Sequence, residues 1–145
     1  MINTDVLREA MDGIAAKKGD FTLFALIMRA DAPGTWDLVV SAPWLEGRKL
    51  RATSELVQLL AQSIGEKSLR QFSRVATVDS AAAIVKFIRQ NLPVERGQGV
   101  LRVQSSDLAG LQIQEAIIFR AKKPKANSTG LPNKPLEPTV DKRGG

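Results

Sequence analysis

Residues 21–42 have the sequence FTLFALIMRADAPGTWDLVVSA and decide the fold of this chain. Phe21–Ala30 is a nearly unbroken apolar run, which predicts a strand covered on both faces. Asp31–Thr35 contains a proline followed by a glycine, which indicates a turn. Apolar residues then recur at every second position from Trp36, and this pattern predicts a second strand that Pro43 ends. The two strands should therefore form an antiparallel hairpin.

Helical and strand patterns alternate on both sides of this hairpin. A helix capped by Asn3 or Thr4 precedes it. After the hairpin we expect a helix from Thr53 or Ser54, a strand over 70–78, a helix capped by Asp79 or Ser80, and strands over 99–104 and 111–119. The order α-β-β-α-β-α-β-β predicts an α+β fold, in which a five-stranded, mostly antiparallel sheet packs with three helices. The segment over 70–104 could instead form a right-handed βαβ crossover with one parallel strand pair, and the strand order stays open.

Three residue types are missing from the composition. The 145 residues contain no histidine, no cysteine and no tyrosine. These absences exclude thiol catalysis, a Ser-His-Asp triad and the usual zinc sites, and no disulfide is required. No motif calls for a cofactor. The first residues do not resemble a secretory signal, and no apolar run is long enough to span a bilayer, so we expect a soluble, cytoplasmic protein without membrane contact.

Charge and composition divide the chain into two parts. Residues 1–120 hold 15 Lys/Arg and 13 Asp/Glu, a net charge of +2, whereas residues 121–145 hold 6 and 2, a net charge of +4. The second part also contains four prolines, three glycines and no aromatic residue, a composition typical of disorder. We therefore expect one domain over 1–120 and a disordered basic tail over 121–145. Because most of the excess charge lies in the tail, a nucleic-acid partner is possible but not favoured.

One catalytic pattern can be written from carboxylates alone. Asp37 on the second strand and Glu46 after it resemble the paired carboxylates with which metal-dependent nucleases hold Mg²⁺. The pattern requires a lysine two residues after the second carboxylate, but Arg48 stands there and stays protonated. Asp37 and Glu46 are therefore weak catalytic candidates. The alternative is that Asp37 faces solvent and Glu46 lies in a loop. A metal site is not expected.

A basic cluster precedes the predicted second helix. Arg48, Lys49 and Arg51 lie just before it, and Thr53 and Ser54 could add hydroxyl donors. The first N–H groups of a helix are unpaired and the helix dipole is positive there, so this arrangement could bind an anion or a nucleic-acid backbone. Alternatively, the cations form an ordinary solvated surface that pairs with neighbouring glutamates.

A third candidate site is apolar. Pro43 and Trp44 follow the second strand, and a large aromatic residue exposed at a strand end often anchors a partner. Trp44 could equally pack over the second helix. Taken together, these observations favour a non-catalytic interaction or regulatory module with a protein partner or a second copy of itself, since unpaired sheet edges are commonly covered in this way.

Overall fold

The structure is a computed structural model that describes residues 2–46 and 49–124, and for Lys49 the backbone only. Its elements are α1 (Thr4–Lys18), β1 (Leu23–Arg29), β2 (Trp36–Ser41), a 3₁₀ turn (Pro43–Leu45), α2 (Lys49–Ile64), α3 (Glu66–Leu69), β3 (Phe72–Thr77), α4 (Ala83–Asn91), β4 (Leu101–Leu108) and β5 (Leu111–Ala121). The α+β class and the five strands are confirmed. The predicted tail lies outside the described residues from residue 125 onward, and β5 ends at Ala121.

Local sequence signals set the ends of α1. The Asn3 side chain accepts a hydrogen bond from the Val6 N–H at 3.1 Å, as an N-cap residue does. Asp5 lies in the first turn, where the helix dipole favours negative charge, and Lys17 and Lys18 lie in the last turn. Gly19 then takes a φ of 118°, which a residue with a side chain rarely adopts, and this glycine ends the helix.

The sheet has the strand order β3-β2-β1-β5-β4. The predicted hairpin of β1 and β2 is present, and β5 pairs antiparallel with both β1 and β4. The sheet is mixed rather than mostly antiparallel, because β2 and β3 pair in parallel. The parallel pair is joined by α2, and not through the segment over 70–104, since β3 and β4 lie at opposite edges of the sheet. A parallel connection needs a crossover, and α2 supplies it.

Helices cover both faces of the sheet. The first face packs under α1 and α2 and includes three phenylalanine rings. The ring centroid of Phe24 lies 5.0 Å from that of Phe21 and 5.8 Å from that of Phe119. The second face packs under α4, which buries Val85 and Ile88. Because the middle of the sheet is covered twice, every residue of β1 before Arg29 is buried, as the apolar run predicts.

Two helix starts differ from the predictions. The second long helix begins at Lys49, four residues before the predicted Thr53. The last helix begins at Ala83 with Ala82 as its N-cap, whereas Asp79 closes a turn before the helix by accepting from the Ala81 N–H at 2.8 Å. Asp and Ser favour turns as well as helix caps, so their side chains alone do not decide between the two.

Candidate binding groove at the ends of β2 and β3

The parallel pairing of β2 and β3 brings the carboxyl ends of these strands to the same edge of the sheet. Val40 and Thr77 are register partners, and the Val78 N–H continues the ladder to the Val40 carbonyl at 2.9 Å. A groove of about 470 Å³ opens there, between the strand ends and the first turns of α2. It is lined by Leu45, Glu46, Leu50, Thr53, Thr77, Val78, Asp79 and Ala82, and we call it the Leu50 groove. Ligands of sheets with parallel strands commonly bind at such an edge.

Leu50 is the most exposed large apolar residue of the described chain. Its exposed fraction is 86%, whereas that of Val6, the other exposed large apolar residue there, is 41%. Two further depressions, of about 570 and 390 Å³, run along the outer face of α2, and Leu50 borders both of them. Leu50 therefore borders the groove and two shallower, overlapping depressions beside it.

Hydroxyl and carboxylate groups connect the walls of the Leu50 groove. The hydroxyls of Thr53 and Thr77 lie 2.9 Å apart and join α2 to β3. The Ser80 hydroxyl donates to Glu46 Oε1 at 3.1 Å and joins the loop after β2 to the loop after β3. Glu46 and Asp79 are exposed, and neither forms an ion pair with any residue that the structure describes. The rim of the groove is thus acidic over an apolar floor.

The two residues predicted to bind a partner, Pro43 and Trp44, differ in exposure. Pro43 is exposed, but Trp44 is half-buried and its ring lies edge-to-face with Phe21 at a centroid distance of 6.2 Å. Lys18 Nζ lies 5.5 Å from the Trp44 ring centroid and 2.5 Å from Glu55 Oε2. Trp44 therefore packs over the end of α1, where its ring contributes to the core of the first face.

The predicted anion-binding residues are distributed over the start of α2. Arg48 and the side chain of Lys49 lie outside the described residues. Arg51 and Ser54 are exposed and line the larger depression beside Leu50, whereas Thr53 faces the Leu50 groove. Because α2 begins at Lys49, Lys49 and Arg51 lie within its first turn and not before it, and Thr53 and Ser54 follow within the helix.

Asp37 and Glu46 are not brought together. Asp37 is the second residue of β2 and its side chain lies on the face covered by α4, whereas Glu46 lies beyond the other end of the strand. Asp37 is 3% exposed, so it does not face solvent, and its Oδ2 contacts the Nε atoms of both Arg29 and Arg74 at 3.2 Å. Over residues 2–46 and 49–124, no three acidic side chains are placed to hold a metal ion.

A second buried charge was not singled out from the sequence. Arg120 is 5% exposed, and its guanidinium contacts Asp20 Oδ2 at 2.5 Å and Glu95 Oε2 at 2.8 Å. Its hydrogen bonds stabilise both charged carboxylates and hold the pKa of Asp20 and the pKa of Glu95 below their ordinary values. These contacts join the end of β5 to the loops before β1 and before β4. The only sequence signal was an arginine after four apolar residues of a strand.

Comparison of the chain with models of known protein families, with curated proteins and with solved structures gave no match. No helix in the described part of the chain is long and apolar enough to cross a membrane.

Proposed function

We propose that this protein is a non-catalytic binding module, and that the Leu50 groove receives a partner segment with an apolar side chain next to basic ones. The observation that carries the proposal is the exposure of Leu50 beside the groove and two shallower, overlapping depressions. A lone exposed leucine is common, but a leucine that borders concave surfaces offers a partner more contact area.

The charges of the groove favour a basic segment. Glu46 and Asp79 stand on the rim without an ion-pair partner among the described residues. A lysine or arginine of a partner could pair with these two carboxylates, which favours the right partner and its rate of association. The floor residues Leu45, Val78 and Ala82 would contact the apolar side chain.

A pair of peptides tests this proposal. One labelled peptide carries a leucine between two lysines, and its copy carries glutamates instead of the lysines. We expect the basic peptide to bind at least tenfold more tightly in fluorescence anisotropy. Burial of a leucine contributes about 1.5–3 kcal/mol. Leu50→Gln should therefore weaken binding by roughly 10- to 100-fold.

The matched control is Val6→Gln, which also replaces an exposed apolar side chain of a helix but outside the groove. We expect it to leave the dissociation constant unchanged. Equal affinity for the two peptides, or unchanged binding by the Leu50→Gln variant, would contradict the proposal.

Anion binding at the start of α2 is the second candidate function. The first turn of α2 contains no acidic residue, while Lys49 and Arg51 lie at its positive end. Cations at this end oppose the helix dipole, so a bound phosphate or nucleic-acid backbone would be favourable there. The triple variant Arg48→Ala, Lys49→Ala and Arg51→Ala should lose salt-sensitive binding of single-stranded DNA. Binding that ignores salt or survives these changes would exclude this candidate.

A metal-dependent phosphodiesterase activity remains a prediction. It is not favoured, because Asp37 and Glu46 lie at opposite ends of β2. Self-association also remains a prediction. Both β3 and β4 are edge strands of the sheet, and each offers a row of backbone groups to a second copy or to a partner strand.

A further inference from the structure

We infer that the chain's own C-terminal segment, residues 125–140, occupies the Leu50 groove when no partner is bound. This inference rests on the proposed function and adds a regulatory element to it. The segment contains two leucines, Leu131 and Leu136, together with Lys125 and Lys134. It therefore has the apolar and basic side chains that the groove and its rim are suited to bind.

The segment begins at the same edge of the sheet as the groove. Leu23 of β1 pairs with Ser41 at the end of β2 on one side, and with Ala121 at the end of β5 on the other. The ends of β2, β3 and β5 are thus level along the sheet. The groove lies between the ends of β2 and β3, which is two and a half strand spacings, about 12 Å, from the end of β5.

Hydrogen bonds hold the first residues after β5 in place. The Lys122 N–H donates to the Thr22 carbonyl at 2.9 Å, and Arg89 Nε donates to the Lys122 carbonyl at 2.7 Å. The Lys123 N–H donates to Glu95 Oε1 at 3.2 Å. The segment after residue 124 therefore starts from a fixed point near the groove.

The segment is long enough to reach the groove and to lie in it. An extended chain advances about 3.3 Å per residue, so some four residues span 12 Å. Leu131 is the seventh residue after Pro124, and Leu136 the twelfth. Both leucines can therefore reach the floor of the groove, with residues to spare for a path around the surface.

Charge and backbone stiffness favour this occupant. The rim carboxylates Glu46 and Asp79 have no ion-pair partner among residues 2–46 and 49–124. The sequence has three prolines, at positions 132, 135 and 138, and a proline-rich segment loses less conformational entropy on binding than a flexible one. Tethering adds an effective concentration on the order of millimolar, so even weak contacts can fill the groove. A partner then has to displace the segment, and its apparent affinity falls accordingly.

Paramagnetic relaxation in the full chain tests this inference. The natural sequence has no cysteine, so Ser128→Cys gives a single site for a nitroxide label. We expect the backbone amide signals of Thr53, Val78 and Asp79 to lose more than half of their intensity. The signals of Gly34 and Gly110, in turns at the opposite ends of the strands, should keep theirs. Equal intensities at both sets of residues would overturn the inference.

Reversing the charge of the two rim carboxylates shows whether the segment contacts the groove specifically or only lies near it. The double variant Glu46→Lys and Asp79→Lys should restore the lost intensity. The control double variant Glu9→Lys and Asp12→Lys makes the same charge change on exposed positions of α1 and should not. High salt on the unchanged chain should restore intensity too, which gives a second measurement if the reversed variant does not fold. Broadening that survives both treatments would contradict the inference.

A mixture of isotope-labelled chains with nitroxide-labelled chains identifies the source of the segment. Broadening that appears in this mixture and vanishes on dilution would mean that a second copy supplies it, which contradicts the intramolecular arrangement. The peptide assay reports on the groove independently. If the basic peptide binds more tightly than the acidic one but the label at residue 128 does not approach the groove, only this inference fails. Equal affinity for the two peptides refutes the proposed function itself.

Discussion

Asp37→Asn separates a structural role of this carboxylate from a chemical one. Asp37 Oδ2 accepts a hydrogen bond from Arg29 Nε and forms an ion pair with Arg74 Nε, each at 3.2 Å, and the Asp37 side chain is 4% exposed. An amide in its place carries no charge and can satisfy the two guanidinium groups less well. We therefore expect the substitution to lower the free energy of unfolding.

The size of the loss follows from the exposure of the two arginines. A hydrogen bond to a charged group contributes about 1.5–3 kcal/mol net. If the ion pair with Arg74 is given the same weight as the hydrogen bond from Arg29, the two contacts set an upper bound of about 6 kcal/mol. The side chains of Arg29 and Arg74 are 32% and 60% exposed and regain water when the carboxylate is lost. The amide oxygen also retains one acceptor position. These two effects reduce the expected loss to about 2 kcal/mol.

Urea unfolding at neutral pH measures this loss. With a slope of about 2 kcal/mol per molar urea, the midpoint should fall by about 1 M. Asp31→Asn is the matched control, because Asp31 also pairs with Arg29, at 3.4 Å, but its side chain is 76% exposed. An exposed pair contributes little, so this variant should lose less than about 0.5 kcal/mol.

An unchanged or higher midpoint for Asp37→Asn would refute this reasoning, since the burial of Asp37 would then not stabilise the fold. The same variant addresses the phosphodiesterase hypothesis. Magnesium-dependent cleavage of a phosphodiester by the unchanged chain, together with its loss in a normally folded Asp37→Asn chain, would support that hypothesis. We expect neither, because Asp37 is buried beside two arginines and Glu46 lies beyond the other end of β2.

Three further predictions concern the rest of the molecule. The pKa values of Asp20 and Glu95 are lowered in the folded chain, so both carboxylates stabilise the fold above about pH 4.5, and this stability is lost as the pH falls through their folded-state pKa values. Arg120→Met should therefore make the urea midpoint depend less on pH in this acid range. An unaltered dependence would contradict the assignment. Ala109 has a φ of 55° in the two-residue turn before β5; Ala109→Asn should raise the free energy of unfolding by about 0.5–1 kcal/mol, and a lower melting temperature would show that the turn is not strained. Light scattering at micromolar concentration should give a mass above that of the monomer if a sheet edge pairs with a second copy, and a strict monomer would argue against self-association.

The sequence predicts the local parts of the fold well. The hairpin of β1 and β2 follows from two apolar patterns separated by a short turn, and all of these signals lie within residues 21–42. The strand order does not follow in this way, because the pairing of β2 with β3 joins residues some thirty-six positions apart, such as Trp36 and Phe72. No local pattern distinguishes a strand that pairs in parallel from one that pairs antiparallel.

The environment of Asp37 shows where alternation misleads. Alternation of polar and apolar residues predicts a solvent-facing side only when one face of the sheet is uncovered. Here α4 covers the second face, so Asp37 lies beside buried Val39 and needs cationic partners. Those partners come from β1 and β3, and the sequence alone does not show that Arg29 and Arg74 meet at one carboxylate.

Leu50 was missed for a related reason. It stands between Lys49 and Arg51, and the charges drew the hypothesis toward an anion, while a single leucine among basic residues has no periodic signal. Only the position of α2 beside the ends of β2 and β3 gives this residue its neighbours in the groove. Two residues of the basic pattern lie in the same region, since Thr53 lines the groove and Arg51 lines the adjoining depression.

The proposed function is recognition rather than catalysis, and the polar groups of the groove are the physical reason for that choice. A catalytic group must be held in a position from which it reaches the substrate and excludes competing water. In the groove, Thr53 and Thr77 bond to each other, and Glu46 accepts from Ser80. The remaining acidic group, Asp79, is exposed and already closes a turn. On the proposed function, the apolar floor, the protruding leucine and the acidic rim would supply affinity and charge selectivity for a partner. The same features allow a tethered basic segment to compete with a partner, because both would use the same two kinds of contact.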